Sequence, residues 1–372
     1  MAAASDQAVD PEQSRFLRAC RRQDVDCTPV WFMRQAGRYM ASYRALRANH
    51  SLLELCRTPE LALAVTLQPV DELGVDAAIL FSDLLLPLAP LGIPFDFKTG
   101  EGPVIETPLR SRADIERLRA FEPREDLGMV LQAIRMIRHE LRGRVPLIGF
   151  AGAPFTLASY AIEGGHSNNF AATKGLMYGD PASWHQLAGL LASVVGSYLR
   201  AQVEAGAQAL QVFDSWVGAL DQDDYREFVL PHVRTIFQAV ADTGVPLIHF
   251  GTGTGHLLAL QREAGGDVIG VDWRTPLDEG WQLAGDAVAI QGNLDPTLLF
   301  APRERLLARV DDVLRRAAGR PGHIFNLGHG ILPGTPVENV KAVVEHVHRS
   351  RQDFPRRPSQ VENPDCPLFS PR

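Results

Sequence analysis

Two arginines four residues apart, Arg34 and Arg38, follow an apolar run, Thr28 to Met33, that reads as a strand. A guanidinium is a planar, permanently charged fork that grips a carboxylate through two parallel hydrogen bonds. Two of them leaving one strand, with Gly37 between, suit a polyanionic ligand held by its acid groups. The spacing equally suits two solvated arginines on one helix face. Other candidate strand ends supply complementary chemistry. Asp83 closes Phe81-Ser82-Asp83, Phe150 opens a run that leads to Tyr160, Phe213 and Ser215 flank Asp214, and His329 sits between Gly328 and Gly330. An acid, cations, hydroxyls and aromatic walls are thus available together. Each also has a structural reading: Asp83 as a cap, His329 as a turn residue, Tyr160 as a core or rim aromatic. His249 and Asp272 at two further strand ends are explained by buried structural hydrogen bonds.

The elements that must position these side chains repeat one unit, a short apolar run, a polar turn and an amphipathic segment. Eight such runs are present: Thr28 to Met33, Asp76 to Ser82, Pro146 to Ala151, Ala209 to Asp214, Pro246 to Gly251, Asp267 to Asp272, Ala287 to Gly292 and His323 to Leu327. Strands that are apolar throughout and alternate with helices predict an α/β fold, a single (β/α)8 TIM barrel, with active-site residues at the carboxyl ends of the strands. Helix start signals stand at Thr58-Pro59, at Asp295-Pro296, and before Pro336 to Val347, where Thr335 as N-cap and Glu338 complete a capping box. Leu84 to Leu118, rich in proline and glycine, is too long for a simple connection and is expected as a loop covering the mouth after the second strand. Residues 1–14 and 351–372 are expected as disordered tails around a catalytic barrel at 15–350, with Cys366 in the second tail irrelevant to chemistry.

Composition narrows the function. A net charge of −7 argues against broad nucleic-acid binding, so any anion is to be caught locally. No apolar run approaches the roughly 20 residues of a membrane span, and the first dozen residues lack the pattern of a secretory leader. Cys20, Cys27, Cys56 and Cys366 form no CxxC pair, which suggests neither disulfide framework nor cysteine metal site and fits the cytoplasm. The only lysines are Lys98, Lys174 and Lys341, none at the end of a likely strand, so Schiff-base chemistry lacks an amine.

MRQAGRY at Met33 to Tyr39, FSD at Phe81 to Asp83, GFAGAPFTL at Gly149 to Leu157, QGNLDP at Gln291 to Pro296 and NLGHG at Asn326 to Gly330 resemble the uroporphyrinogen decarboxylase family in order and spacing. The resemblance runs from about Phe16 to Arg349. It implies a carboxy-lyase of haem and porphyrin biosynthesis that uses no cofactor and no metal, is usually a homodimer, and removes the four acetate carboxyls of uroporphyrinogen III to give coproporphyrinogen III. In that role Arg34, Arg38 and Arg47 fit the rim and Phe150 and Phe213 the walls. The resemblance further implies that Asp83 accepts hydrogen bonds from pyrrole N–H groups, that Arg34 holds the reacting acetate, and that Tyr160, Ser215 and His329 bind substrate carboxylates. Trp216 stands where some relatives carry histidine, which argues against a proton role there.

The principal alternative is a related corrinoid or thiol methyltransferase, which activates a thiol at zinc. Such enzymes need a His-x-Cys pair, whereas the run after His249 is Phe250-Gly251. A second alternative, a phosphate-binding isomerase or aldolase, is prompted by the glycines of Gly251 to Gly255. That run follows the fifth strand, whereas barrel phosphate loops usually follow the seventh and eighth. A tetrapyrrole carrier shares the arginines and aromatics and differs in turning nothing over.

Overall fold

The computed structural model describes residues 13–98 and 102–350. Its described strands are β1 (Ala78–Ile79), β2 (Asp96–Lys98), β3 (Gly102–Val104), β4 (Leu147–Gly152), β5 (Ala209–Asp214), β6 (Leu247–Gly251), β7 (Val268–Gly270), β8 (Ala289–Gln291) and β9 (His323–Ile324). β2 and β3 form a small antiparallel pair, and the other seven make one parallel sheet whose spatial order is their chain order. Helices such as Pro154–Glu163, Pro181–Ala205, Leu230–Val240 and Arg303–Ala317 connect consecutive strands. β4 is buried at every position, as a parallel strand covered on both faces must be.

The core explains why the strands need both faces apolar. Trp31, Ala77, Ile148, Ala209, Ile248, Val268, Ala289 and Ile324, one from each of the eight apolar runs, pack into a single cluster. On the other face Phe32, Ile269, Ile290 and Phe325 meet Trp281, Val310 and Val340 of the surrounding helices. Each fully buried aliphatic side chain contributes about 1.5–3 kcal/mol relative to exposure, so a polar residue at any of these places is costly.

The run Thr28 to Met33 differs from expectation. It forms no named strand, only a parallel bridge between Val30 and Phe325. Pro29 has no N–H to give a ladder, and side chains take over the pairing: the Val30 amide donates to Asp76 Oδ2 at 2.7 Å and the Met33 amide to Asn326 Oδ1 at 3.1 Å. Main-chain bonds still reach both neighbours, from Trp31 N to Phe325 O and from Asp76 N to Val30 O. The run therefore lies between β9 and the chain leading into β1.

Leu84 to Leu118 also departs from a loose cover. Leu86, Leu88, Leu91, Ile93, Ile105 and Ile115 are buried in the largest core cluster. Its proline and glycine punctuate a packed excursion that carries β2 and β3. The helix Val337–Arg349 starts without the expected capping box: Pro336 occupies the cap position with no side-chain bond, and the Thr335 hydroxyl donates to Leu332 O instead. Thr58 likewise makes no side-chain cap bond, whereas Asp295 accepts from Thr297 N as expected. The expected tails fall outside the described residues, except that Ser14 caps the helix Arg15–Cys20 and so belongs to the fold.

Candidate active site

Construction of the site begins at Met33. Its amide donates to Asn326 Oδ1 and its carbonyl accepts from Ile331 N at 2.9 Å, so the first motif is docked onto the last. Gln35 reinforces this by donating to Ala77 O, while the Tyr39 hydroxyl donates to Gln35 O. Between them Arg34 takes φ +56°, a left-handed conformation that residues with a Cβ rarely adopt and that clusters at functional sites. The glycines around His329 follow from the same close packing. A Cβ on Gly330 would lie 2.4 Å from Arg34 Cδ, and one on Gly328 would lie 2.2 Å from Trp273 N.

Arg34 lines an open cavity with about 840 Å3 of atom-free space, mouth included, among Ile79, Phe81, Ser82, Asp83, Phe150, Phe213, Ser215, Phe250 and His329. Concave pockets that are mostly apolar, with few convergent polar groups, are the usual form of a small-molecule site. Asp83 follows β1, and its Oδ1 accepts from Leu85 N at 2.9 Å. The capping reading is therefore realised for one carboxylate oxygen, while no hydrogen-bond donor among the described residues reaches the other. Burial pushes its carboxyl up to about 6, and the Leu85 amide and the charge of Arg34 only partly offset it. At neutral pH Asp83 is still mainly ionised, a poorly solvated anion in an apolar cavity.

Phe150, Phe213 and Phe250 stand on adjacent strands, with ring centroids 5.5 and 6.0 Å apart and both contacts edge to face. They form a continuous aromatic wall. Burial, reinforced by the charges of Arg34 and Arg274, pulls the His329 imidazole down to about 4, so it is neutral at working pH. Tyr160, on the helix after β4, is outside the set lining the cavity but feels the charges of both Asp83 and Arg34; burial raises its phenol. Its ring meets that of Trp216 at 5.9 Å.

The structure thus gathers Asp83, Arg34, Phe150, Phe213, Ser215 and His329 around one cavity. Arg38 is exposed and outside that lining, its carbonyl accepting from Arg44. Arg47 is half-buried and donates to His50 O. Sequence reasoning passed over Phe250 and Phe81. The signal for Phe250 was available, an aromatic one or two residues from the end of each of three consecutive strands. His249 and Asp272 do have structural partners: His249 Nδ1 lies 3.1 Å from Gln261 O, and Asp272 accepts from Gly253 N at 2.6 Å and from Arg274. That carboxylate occupies an amide a phosphate would need in the glycine run. Lys174 donates to Ala219 O, away from the cavity, and Cys20, Cys27 and Cys56 are buried without lining it.

Comparison with known proteins gives a consistent result. The family model described as uroporphyrinogen decarboxylase (URO-D) matches residues 11–350. The uroporphyrinogen decarboxylase of Sorangium cellulosum is 65% identical over 334 residues, covering 90% of this chain and 95% of that protein. That of Carboxydothermus hydrogenoformans is 57% identical over 333 residues, with 90% and 95% covered. Among solved structures, a methyltransferase from Methanosarcina mazei superposes with a TM-score of 0.73 at 21% identity, covering 90% of this chain and 97% of that one. At that identity the likeness concerns the fold.

Proposed function

Because the chain belongs to the uroporphyrinogen decarboxylase family, we propose that the cavity at the carboxyl ends of the strands is the site of its reaction. That reaction is the stepwise removal of the four acetate carboxyls of uroporphyrinogen III, giving coproporphyrinogen III and carbon dioxide. The observation that carries the site assignment is Asp83: a mainly ionised carboxylate, one oxygen of which meets no hydrogen-bond donor among the described residues, in an aromatic-walled cavity shared with Arg34.

Decarboxylation leaves an electron pair on carbon, and the substrate's own pyrrole supplies the sink once a ring carbon is protonated. A cationic ring results. Asp83 accepts from the pyrrole N–H groups and stabilises that cation, Arg34 holds the acetate whose carboxyl leaves as carbon dioxide, and the phenylalanine wall covers the ring. The CH2 left behind takes up a proton to become methyl as the ring carbon gives its added proton back. Tyr160, Ser215 and neutral His329 hydrogen-bond the remaining carboxylates, with Arg38 attracting them at the rim. Stabilisation of this kind accelerates reaction only as far as it is stronger for the cation than for the neutral ring. The run Thr28 to Met33, bonded to both sheet edges, supports closure of the sheet as an eight-membered (β/α)8 barrel. We place the enzyme in the cytoplasm as a homodimer.

The test is anaerobic incubation of the purified chain with enzymically generated uroporphyrinogen III, followed by chromatography of the oxidised porphyrins. Products with seven down to four carboxyl groups are expected. A tetrapyrrole that binds and keeps all its carboxyls would make the protein a carrier.

A further inference from the structure

Asp214 is fully buried at the end of β5, one residue before Ser215, and is not among the residues that line the cavity. The Thr156 hydroxyl donates to Asp214 Oδ1 at 3.0 Å and in turn accepts from Trp216 N at 3.4 Å. Thr156 and Tyr160 are four residues apart on the helix Pro154–Glu163 and therefore on one face of it. A single buried link thus joins the turn that presents Ser215 and Trp216 to the helix that presents Tyr160. The Trp216–Tyr160 ring contact closes the other side of the same unit. A second feature marks the link as more than packing: Asp214 Oδ2 and the hydroxyl of Tyr225, which lies within the field of Asp214, are both buried with no hydrogen-bond partner among the described residues. Leaving a carboxyl so underbonded in a core is costly, and an apolar side chain there avoids the penalty.

We propose that Asp214 and Thr156 form a positioning tether that fixes Ser215 and Tyr160 for binding of substrate carboxylates. Neither tether residue touches the substrate. The tether leaves Asp83 to Leu85, and the segment of Arg34 to Asn326, which accepts from the neighbouring Met33 amide. Loosening it is therefore a loss of binding rather than of chemistry, a rise in KM with kcat nearly kept. The inference rests on the substrate-binding assignment of Ser215 and Tyr160.

The test is steady-state decarboxylation of uroporphyrinogen by Thr156→Val, Thr156→Ser, Asp214→Asn, Ser215→Ala and Tyr160→Phe, well below each variant's melting temperature. Thr156→Val keeps the volume and removes the hydroxyl; it is expected to raise KM about tenfold with kcat within threefold. Thr156→Ser and Asp214→Asn retain the donor or the acceptor and are expected within threefold of the parent in both constants. A purely structural role lowers the melting temperature of Thr156→Val and leaves KM alone. A folded Thr156→Val with KM within twofold of the parent, while Ser215→Ala and Tyr160→Phe are impaired, overturns the tether alone. Ser215→Ala and Tyr160→Phe with unchanged KM overturn the carboxylate-binding assignment and the tether with it.

Discussion

Replacing Asp83 by asparagine isolates the charge on which the proposed chemistry depends. The amide oxygen can still accept from Leu85 N, so the local turn is kept. Burial pushes this carboxyl up to about 6, so the anion forgoes solvation that a neighbouring cation can restore. Opposite charges about 4 Å apart at an effective dielectric of ~20 attract by about 4 kcal/mol, an upper bound on the loss. Each 1.36 kcal/mol is a factor of about ten in rate, so kcat should fall by two to three orders of magnitude. KM should change less, because the asparagine oxygen can still accept from the pyrrole N–H groups of the neutral ring. The assay is anaerobic turnover of uroporphyrinogen followed by chromatography, with thermal unfolding as the check on the fold. A folded variant retaining more than about a third of the parental kcat, a loss under ~1 kcal/mol, would reduce Asp83 to the cap it also is.

The same carboxyl predicts pH dependence: kcat/KM of the free enzyme should fall through an apparent value near 6 as Asp83 protonates, and Asp83→Asn should lack that limb; a limb unchanged in the variant assigns it elsewhere. Asp214, pushed up to about 7 by burial, is the opposite case for stability. A carboxyl raised in the fold stabilises it below the unfolded value near 4 and withdraws that contribution as pH rises through 7, so the melting temperature of Asp214→Asn should gain on the parent between pH 4 and 8. Equal gaps across the range would count against it. Arg34→Ala should raise KM or abolish turnover more severely than Arg38→Ala, which lies outside the cavity lining; any residual kcat/KM should rise with salt more steeply than in the parent, because the overall charge of −7 then repels the octa-anion unopposed. Equal binding by both variants at every ionic strength would remove these arginines from recognition. Activity should survive dialysis against chelator and treatment with borohydride, and a loss restored by zinc would favour the methyltransferase branch.

What was legible in the sequence follows from what each feature depends on. β5 is found residue for residue, since a strand buried on both faces writes its limits in the chain itself. The first run was legible as an apolar segment but not as a bridge, because its ladder is lost to Asp76 and Asn326, residues 46 and 293 positions away in sequence. The excursion Leu84 to Leu118 misleads for a related reason: its turns are marked by proline and glycine, while its anchors are leucines and isoleucines without a period. Asp83 and Arg34 could be singled out at the ends of apolar runs, with a cap and a solvated helix-face arginine as the rival readings. The electrostatics of the cavity could not, since the neutrality of His329 needs burial together with Arg34 and Arg274, which come from three separate segments.

The proposed placement of Asp83 also constrains how an octa-anion can enter. Among the described residues that line the cavity Asp83 is the only carboxylate and Arg34 the only guanidinium. A substrate carboxylate brought to about 4 Å from Asp83 meets a repulsion of about 4 kcal/mol at an effective dielectric of ~20, whereas pyrrole N–H groups are attracted. On that placement the ring would be held by its nitrogen centre, with its acids turned outward to Arg34, Ser215 and the rim. In the proposed placement the four pyrroles offer Asp83 the same N–H contact, so turning the ring would preserve the contact that stabilises the cation while bringing another ring's side chains to Arg34. In isomer III one ring carries its acetate and propionate in reversed order, so a quarter turn alone does not bring every acetate to the same place. The order of reaction is left to the side chains that differ among the rings, where they would meet Tyr160, Ser215 and His329.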